Sequence, residues 1–119
     1  MFQYLITPFA ATDILSIIER SQSMFGTRAS TRYEELIWQG IHDLCADPAR
    51  AGWTDTPYIH PGCFVYHLKH SRIHVSKSTG RVRVPRHFLV CRMSNESVLE
   101  VLRVIHDSMS LNATLLGEV

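Results

Sequence analysis

Apolar residues recur along the chain with two different periods. Phe2-Gln3-Tyr4-Leu5-Ile6-Thr7 is a short run of aromatic and branched side chains closed by Pro8. It predicts a first strand and then a helix, with Thr7 as the cap and Pro8 in the first helical position. Ile14, Leu15, Ile17, Ile18 and Phe25 follow as one broad helical stripe, and Gly26 suits the left-handed turn that ends such a helix. Beyond Thr27, placed to cap a second helix, Ala29, Tyr33, Leu36, Ile37, Gly40, Ile41 and Leu44 recur in steps of three and four. Asp47-Pro48 ends that helix, because a residue before proline avoids the helical region. With only a glycine turn between them, the two helices form an antiparallel hairpin.

After Pro48 the pattern changes. Residues 49–62 are rich in Gly, Pro, Thr and Trp and predict an irregular connection. Cys63 to Leu68 reads as a strand, and the polar stretch 69–85, centred on Ser78-Thr79-Gly80, as an excursion between strands. Arg86 to Met93 and Val98 to His106 read as two long strands joined by a hairpin turn over Ser94 to Ser97. The fold class is therefore α+β, with an N-terminal strand and a helical hairpin covering one face of a mainly antiparallel sheet.

Pairing Ser94 with Ser97 sets Phe88 opposite Arg103, Val90 opposite Val101 and Arg92 opposite Leu99. One face then carries Arg86, Phe88, Val90, Arg92, Leu99, Val101, Arg103 and Ile105. The other carries His87, Leu89, Cys91, Val98, Glu100, Leu102, Val104 and His106.

At 119 residues and 45% hydrophobic, the chain suits one domain, spanning 1–119. Cys45, Cys63 and Cys91 have no C-x-x-C spacing, which points to reduced thiols and a cytoplasmic setting. The apolar start lacks a basic leader and is broken by Pro8 and Asp13, so neither a signal peptide nor a membrane span is expected. The net charge of +1 hides an uneven distribution: Lys69, Arg72, Lys77, Arg81, Arg83, Arg86 and Arg92 lie between Thr56 and Ser94, where there is no Asp or Glu. Such a stretch is a footprint for a polyanion or an acidic protein, or else a solvated arginine-rich loop. His67, His70 and His74 have spacings that would align on a helix as metal ligands. On a strand running into a loop they separate, so no metal and no cofactor is expected.

The run Pro85 to Leu111, with Tyr66 to Arg72 before it and the helical Met24 to Pro48, resembles the ParE branch of the RelE/ParE superfamily of type II toxin-antitoxin modules. The resemblance spans Tyr4 to about Leu111. It rests on the Phe-Gly turn after helix one, the Asp-Pro end of helix two, an arginine ending the penultimate strand and Arg-Val-Ile-His ending the last. It implies a helical hairpin on a small twisted sheet, inhibition of DNA gyrase by binding, and neutralisation by a ParD-like antitoxin. RelE-type relatives instead cut messenger RNA in the ribosome.

For the ribonuclease alternative, Arg103 would stabilise the phosphorane charge and His106 would move a proton. Residues 107–119 contain neither Tyr nor Lys, which leaves that catalytic set incomplete. A gyrase-binding protein needs no catalytic group and no direct nucleic-acid contact outside its target complex. Lys69, Arg72, Arg81, Arg83, Arg86, Arg92 and Arg103 are then the target-binding candidates. Arg103 has a structural alternative, stacked on Phe88 and paired with Asp107 or Glu100. Tyr33, Ile37, Trp38 and Ile41 are the antitoxin-binding candidates, with Trp38 as a partly exposed anchor. A third possibility is a non-toxic relic that only binds its antitoxin.

Overall fold

The computed structural model describes residues 2–95 and 97–112. Its elements in chain order are β1 (Gln3–Ile6), α1 (Pro8–Phe25), α2 (Thr27–Ala46), β2 (Trp53–Asp55), β3 (Cys63–His67), a 3-10 helix (Leu68–His74), β4 (His87–Met93) and β5 (Val98–His106). The strands form one sheet in the order β1-β5-β4-β3-β2. All neighbours are antiparallel except β1, which runs parallel to β5. The α+β fold class read from the sequence is the one observed.

Thr7 explains why the chain turns from β1 into α1. Its Oγ1 accepts the Ala10 N–H at 3.1 Å as the helix cap and donates to the Leu102 carbonyl of β5 at 2.8 Å. The cap of α2 differs from the expectation. Thr27 lies inside the first turn, and the cap residue is Gly26, at φ 91°, whose carbonyl accepts the Ser30 N–H at 3.2 Å. A left-handed residue that ends α1 and begins α2 leaves no room for a separate side-chain cap.

The hairpin buries its stripe against the sheet. Leu36, Ile37, Ile41 and Leu44 pack with Tyr66, Leu89, Cys91, Leu99 and Val101 in the main core. Each such aliphatic side chain contributes about 1.5–3 kcal/mol of burial. The other face of the sheet is covered by the 49–62 connection, where Ile59 meets Cys63, Val65, Val90 and Ile105. That connection is less irregular than its composition suggests, because Trp53–Asp55 pairs with Phe64–Tyr66 as an edge strand. The excursion after β3 opens with the 3-10 helix, held where buried Tyr66 Oη meets Ser71 Oγ at 2.7 Å.

The β4–β5 register corrects the expected faces. Met93 pairs with Leu99 and Arg92 with Glu100, so the connection is one residue longer than a Ser94–Ser97 pairing allows. A second offset follows at Leu102, the extra residue between the pairs Cys91–Val101 and Val90–Arg103. Leu99 and Val101 therefore lie on the helix side with Leu89 and Cys91. Beyond the bulge that side is continued by Val104, while Leu102 and Ile105 turn to the other core. The bulge falls where β1 leaves the sheet, and there Asp13 of α1 takes up the exposed edge by accepting the Val104 N–H at 3.0 Å.

Candidate functional site

Arginines build one wall of the site before any of them can meet a partner. Arg72 Nε donates to the Val82 carbonyl at 2.6 Å, Arg81 Nη2 to Ile73 at 2.7 Å, and Arg32 Nε to Thr79 at 3.3 Å. Each satisfies a backbone carbonyl that strand pairing does not reach. Gly80, at φ 93°, lets this close: a Cβ there would stand 2.5 Å from Arg32 Nε. The basic segment is therefore stapled against α2 and the 3-10 helix.

Between that wall, the C-terminal half of α1 and the far ends of β4 and β5 runs a groove of 970 Å³. Its apolar lining includes Ile17, Met24, Phe25, Val82, Val84 and Met109. Phe25 is 71% exposed and Val84 67%, values that mark unfilled apolar surface. Arg20, Arg32, Arg81, Arg83 and Arg86 line the same groove, and no Asp or Glu is among its described lining residues. Arg20 and Arg83 make no hydrogen bond or ion pair among the described residues, so the groove is left electropositive.

At the end of the groove, Tyr33 Oη accepts the Arg86 backbone N–H at 3.0 Å and lies 2.5 Å from His87 Nδ1. Burial raises the Tyr33 pKa to about 12 and lowers that of His87 to about 4. Both are neutral near pH 7, so one proton, carried by either partner, bridges Tyr33 Oη and His87 Nδ1. His106 packs edge-on against His87 with ring centroids 5.3 Å apart, and its Nδ1 accepts the Ser108 N–H at 3.1 Å. Asp107 accepts from Arg86 Nε and Nη2 and from His67 Nε2, the last at 3.0 Å. The Arg86 guanidinium, then the His67 bond, hold its carboxyl down at about 2.

A family model described as ParE toxin of type II toxin-antitoxin system, parDE, matches residues 4–111. The chain belongs to the ParE toxin family. Among solved structures, the chromosomal ParDE toxin-antitoxin system from P. aeruginosa is similar at a TM-score of 0.61 and 17% identity, over 89% of this chain and 96% of that one. No curated protein matches the sequence.

Within this ParE-family fold, the residues singled out from sequence do not form one surface. Arg81, Arg83 and Arg86 line the groove, whereas Lys69 and Arg72 stand outside its lining on the 3-10 helix. Arg92 pairs with Glu100 at 3.1 Å and meets His60. Arg103 pairs with neither Asp107 nor Glu100: Asp13 holds its Nε at 2.7 Å and its Nη2 at 3.0 Å. His106 lines the groove without Arg103, so the pair considered for RNA cleavage is not brought together there. Ile37 and Ile41 are fully buried in the core and cannot reach an antitoxin. Tyr33 lines the groove, and Trp38 is half-buried against Tyr4, ring centroids 6.1 Å apart.

His67 binds Asp107, His74 binds Asp43 at 2.8 Å and His70 packs against Tyr66 with ring centroids 5.7 Å apart, so the three histidines do not converge. Among the described residues no group of His, Cys, Asp and Glu could hold a metal ion. Among them, too, no helix is long and apolar enough to cross a membrane. Cys45, Cys63 and Cys91 are buried and unbridged. Sequence reading overlooked His87, whose partner Tyr33 lies 54 positions away, and Asp13, whose partner lies 90 away.

Proposed function

We propose that this ParE-family chain is the toxin of a module in which it inhibits DNA gyrase by binding and is neutralised by a ParD-like antitoxin. The observation that carries this reading is the groove. Its exposed apolar lining, flanked by arginines with no carboxylate in the described lining, suits a partner segment that is amphipathic and acidic. An antitoxin segment laid there covers Phe25, Met24 and Val84 and neutralises the guanidinium charge. The engagement of Arg103 by Asp13 supports binding over RNA cleavage, because it occupies the cation that the nuclease reading required.

Controlled expression of the toxin alone tests the reading, with a gyrase supercoiling and cleavage assay run beside a translation-coupled RNA cleavage assay. Gyrase inhibition without RNA cleavage, relieved by antitoxin, is the expected result. RNA cleavage lost in Arg103→Ala overturns it, and no effect in either assay identifies a relic.

A further inference from the structure

The residues where the groove meets the ends of β4 and β5 have a chemistry that an apolar partner does not explain. The neighbours of two lining histidines are compatible with ring protons on Nε2. His106 Nδ1 lies 3.1 Å from the Ser108 backbone nitrogen and 2.7 Å from Ser108 Oγ, and when it accepts there the ring proton sits on Nε2. Tyr33 Oη receives the Arg86 N–H, and with its own proton turned to His87 Nδ1 the ring proton there too is on Nε2. Neither Nε2–H meets an acceptor among the described residues. Arg83 adds an exposed guanidinium without a partner among them, and Arg86 keeps Nη1 beyond its bonds to Asp107. Asp107 is bonded by Arg86 and His67, and its Oδ1 also lies 3.6 Å from His106 Nδ1, the ring nitrogen other than the Nε2–H invoked here.

We propose that this end of the groove is a phosphate-binding site, with Arg83, Arg86, His87 and His106 as donors to a phosphate carried by a nucleotide or by a nucleic-acid backbone. Donor number favours phosphate over a peptide carboxylate. A carboxylate presents two oxygens, whereas two imidazole N–H groups and two forked guanidiniums suit the larger oxygen set of a phosphate. The low proton affinity of buried His87 supports the assignment, since the ring stays a neutral N–H donor near pH 7. The apolar lining beside these donors offers a surface on which a base can rest, and 970 Å³ accommodates a mononucleotide. This site goes beyond the gyrase and antitoxin reading and stands without it.

Isothermal titration of the full chain with inorganic phosphate, adenosine 5′-monophosphate, a short single-stranded DNA oligonucleotide and a polyglutamate peptide tests the assignment. Phosphate and mononucleotide are expected to bind, with Arg83→Gln and His106→Gln each weakening them about tenfold, the loss of one charge-assisted bond. Lys77→Gln, outside the groove, leaves binding unchanged. Binding confined to the oligonucleotide, lost in the same two variants, assigns the phosphate to a nucleic-acid backbone. Absence of binding by all three phosphate ligands, binding that both variants retain, or binding of polyglutamate alone overturns the proposal. Gyrase inhibition measured on the same variants separates this outcome from the toxin reading.

Discussion

Two charge-assisted hydrogen bonds join Arg103 to Asp13, and Asp13 also accepts a strand N–H, so removing the guanidinium strands a partly buried carboxylate. Arg103→Ala is expected to lose about 1–3 kcal/mol in urea denaturation, while Arg83→Ala, exposed and unpaired among the described residues, loses almost nothing. A purely functional arginine would show the reverse order. Stability is also expected to fall in two stages on acidification. His87 has a folded pKa of about 4 against an ordinary 6.5, so the unfolded chain takes its proton first and stability declines from about pH 6.5 towards 4. Asp107, at about 2 against 3.8, withdraws its contribution below that range. Urea midpoints across pH should show both limbs, with His87→Gln flattening the upper one. None of these partnerships was visible in sequence, because Arg103 seeks a carboxylate on α1 while Asp107 and Glu100 lie far closer along the chain.

At the scale of elements, α2 can approach the 3-10 helix and the sheet because residue 40 is glycine. A Cβ there would lie 2.7 Å from Leu68 Cδ2 and 3.3 Å from Leu89 Cδ1. Gly40→Ala is expected to cost about 1–3 kcal/mol through overpacking, despite alanine's better helix propensity, and thermal melting measures it. The elements themselves were largely legible: the Thr7-Pro8 start, the Gly26 turn, the Asp47 stop and both long strands follow from period and turn chemistry. The strand faces were not. Period 2 is exact, so a connection one residue longer than assumed moved Leu99 and Val101 to the opposite side, and the bulge at Leu102 has no side-chain signature. The site was partly legible, in that the arginine-rich stretch announced a charged surface. That two of its arginines, Arg72 and Arg81, bind carbonyl groups of its own fold is a tertiary property.

For the whole molecule, the consequence of the groove is exposed apolar area that water does not favour. Phe25→Ser combined with Val84→Ser is expected to reduce self-association of the free chain and to weaken antitoxin binding at least about tenfold, read by light scattering and titration calorimetry. Neither side chain belongs to the core, so the melting temperature should hardly move. The two offsets in β4–β5 carry a further consequence, for inheritance. The long connection and the extra residue at Leu102 both lie before the far end of the strand, where His106 pairs with His87. Losing the codon for Leu102 alone would straighten β5 yet leave Arg103 facing Val90 and His106 facing His87, and losing one from the connection would shorten only the loop. Descendants of this chain should therefore gain or lose residues at either place independently, and such length changes in the record would leave the two groove histidines facing each other.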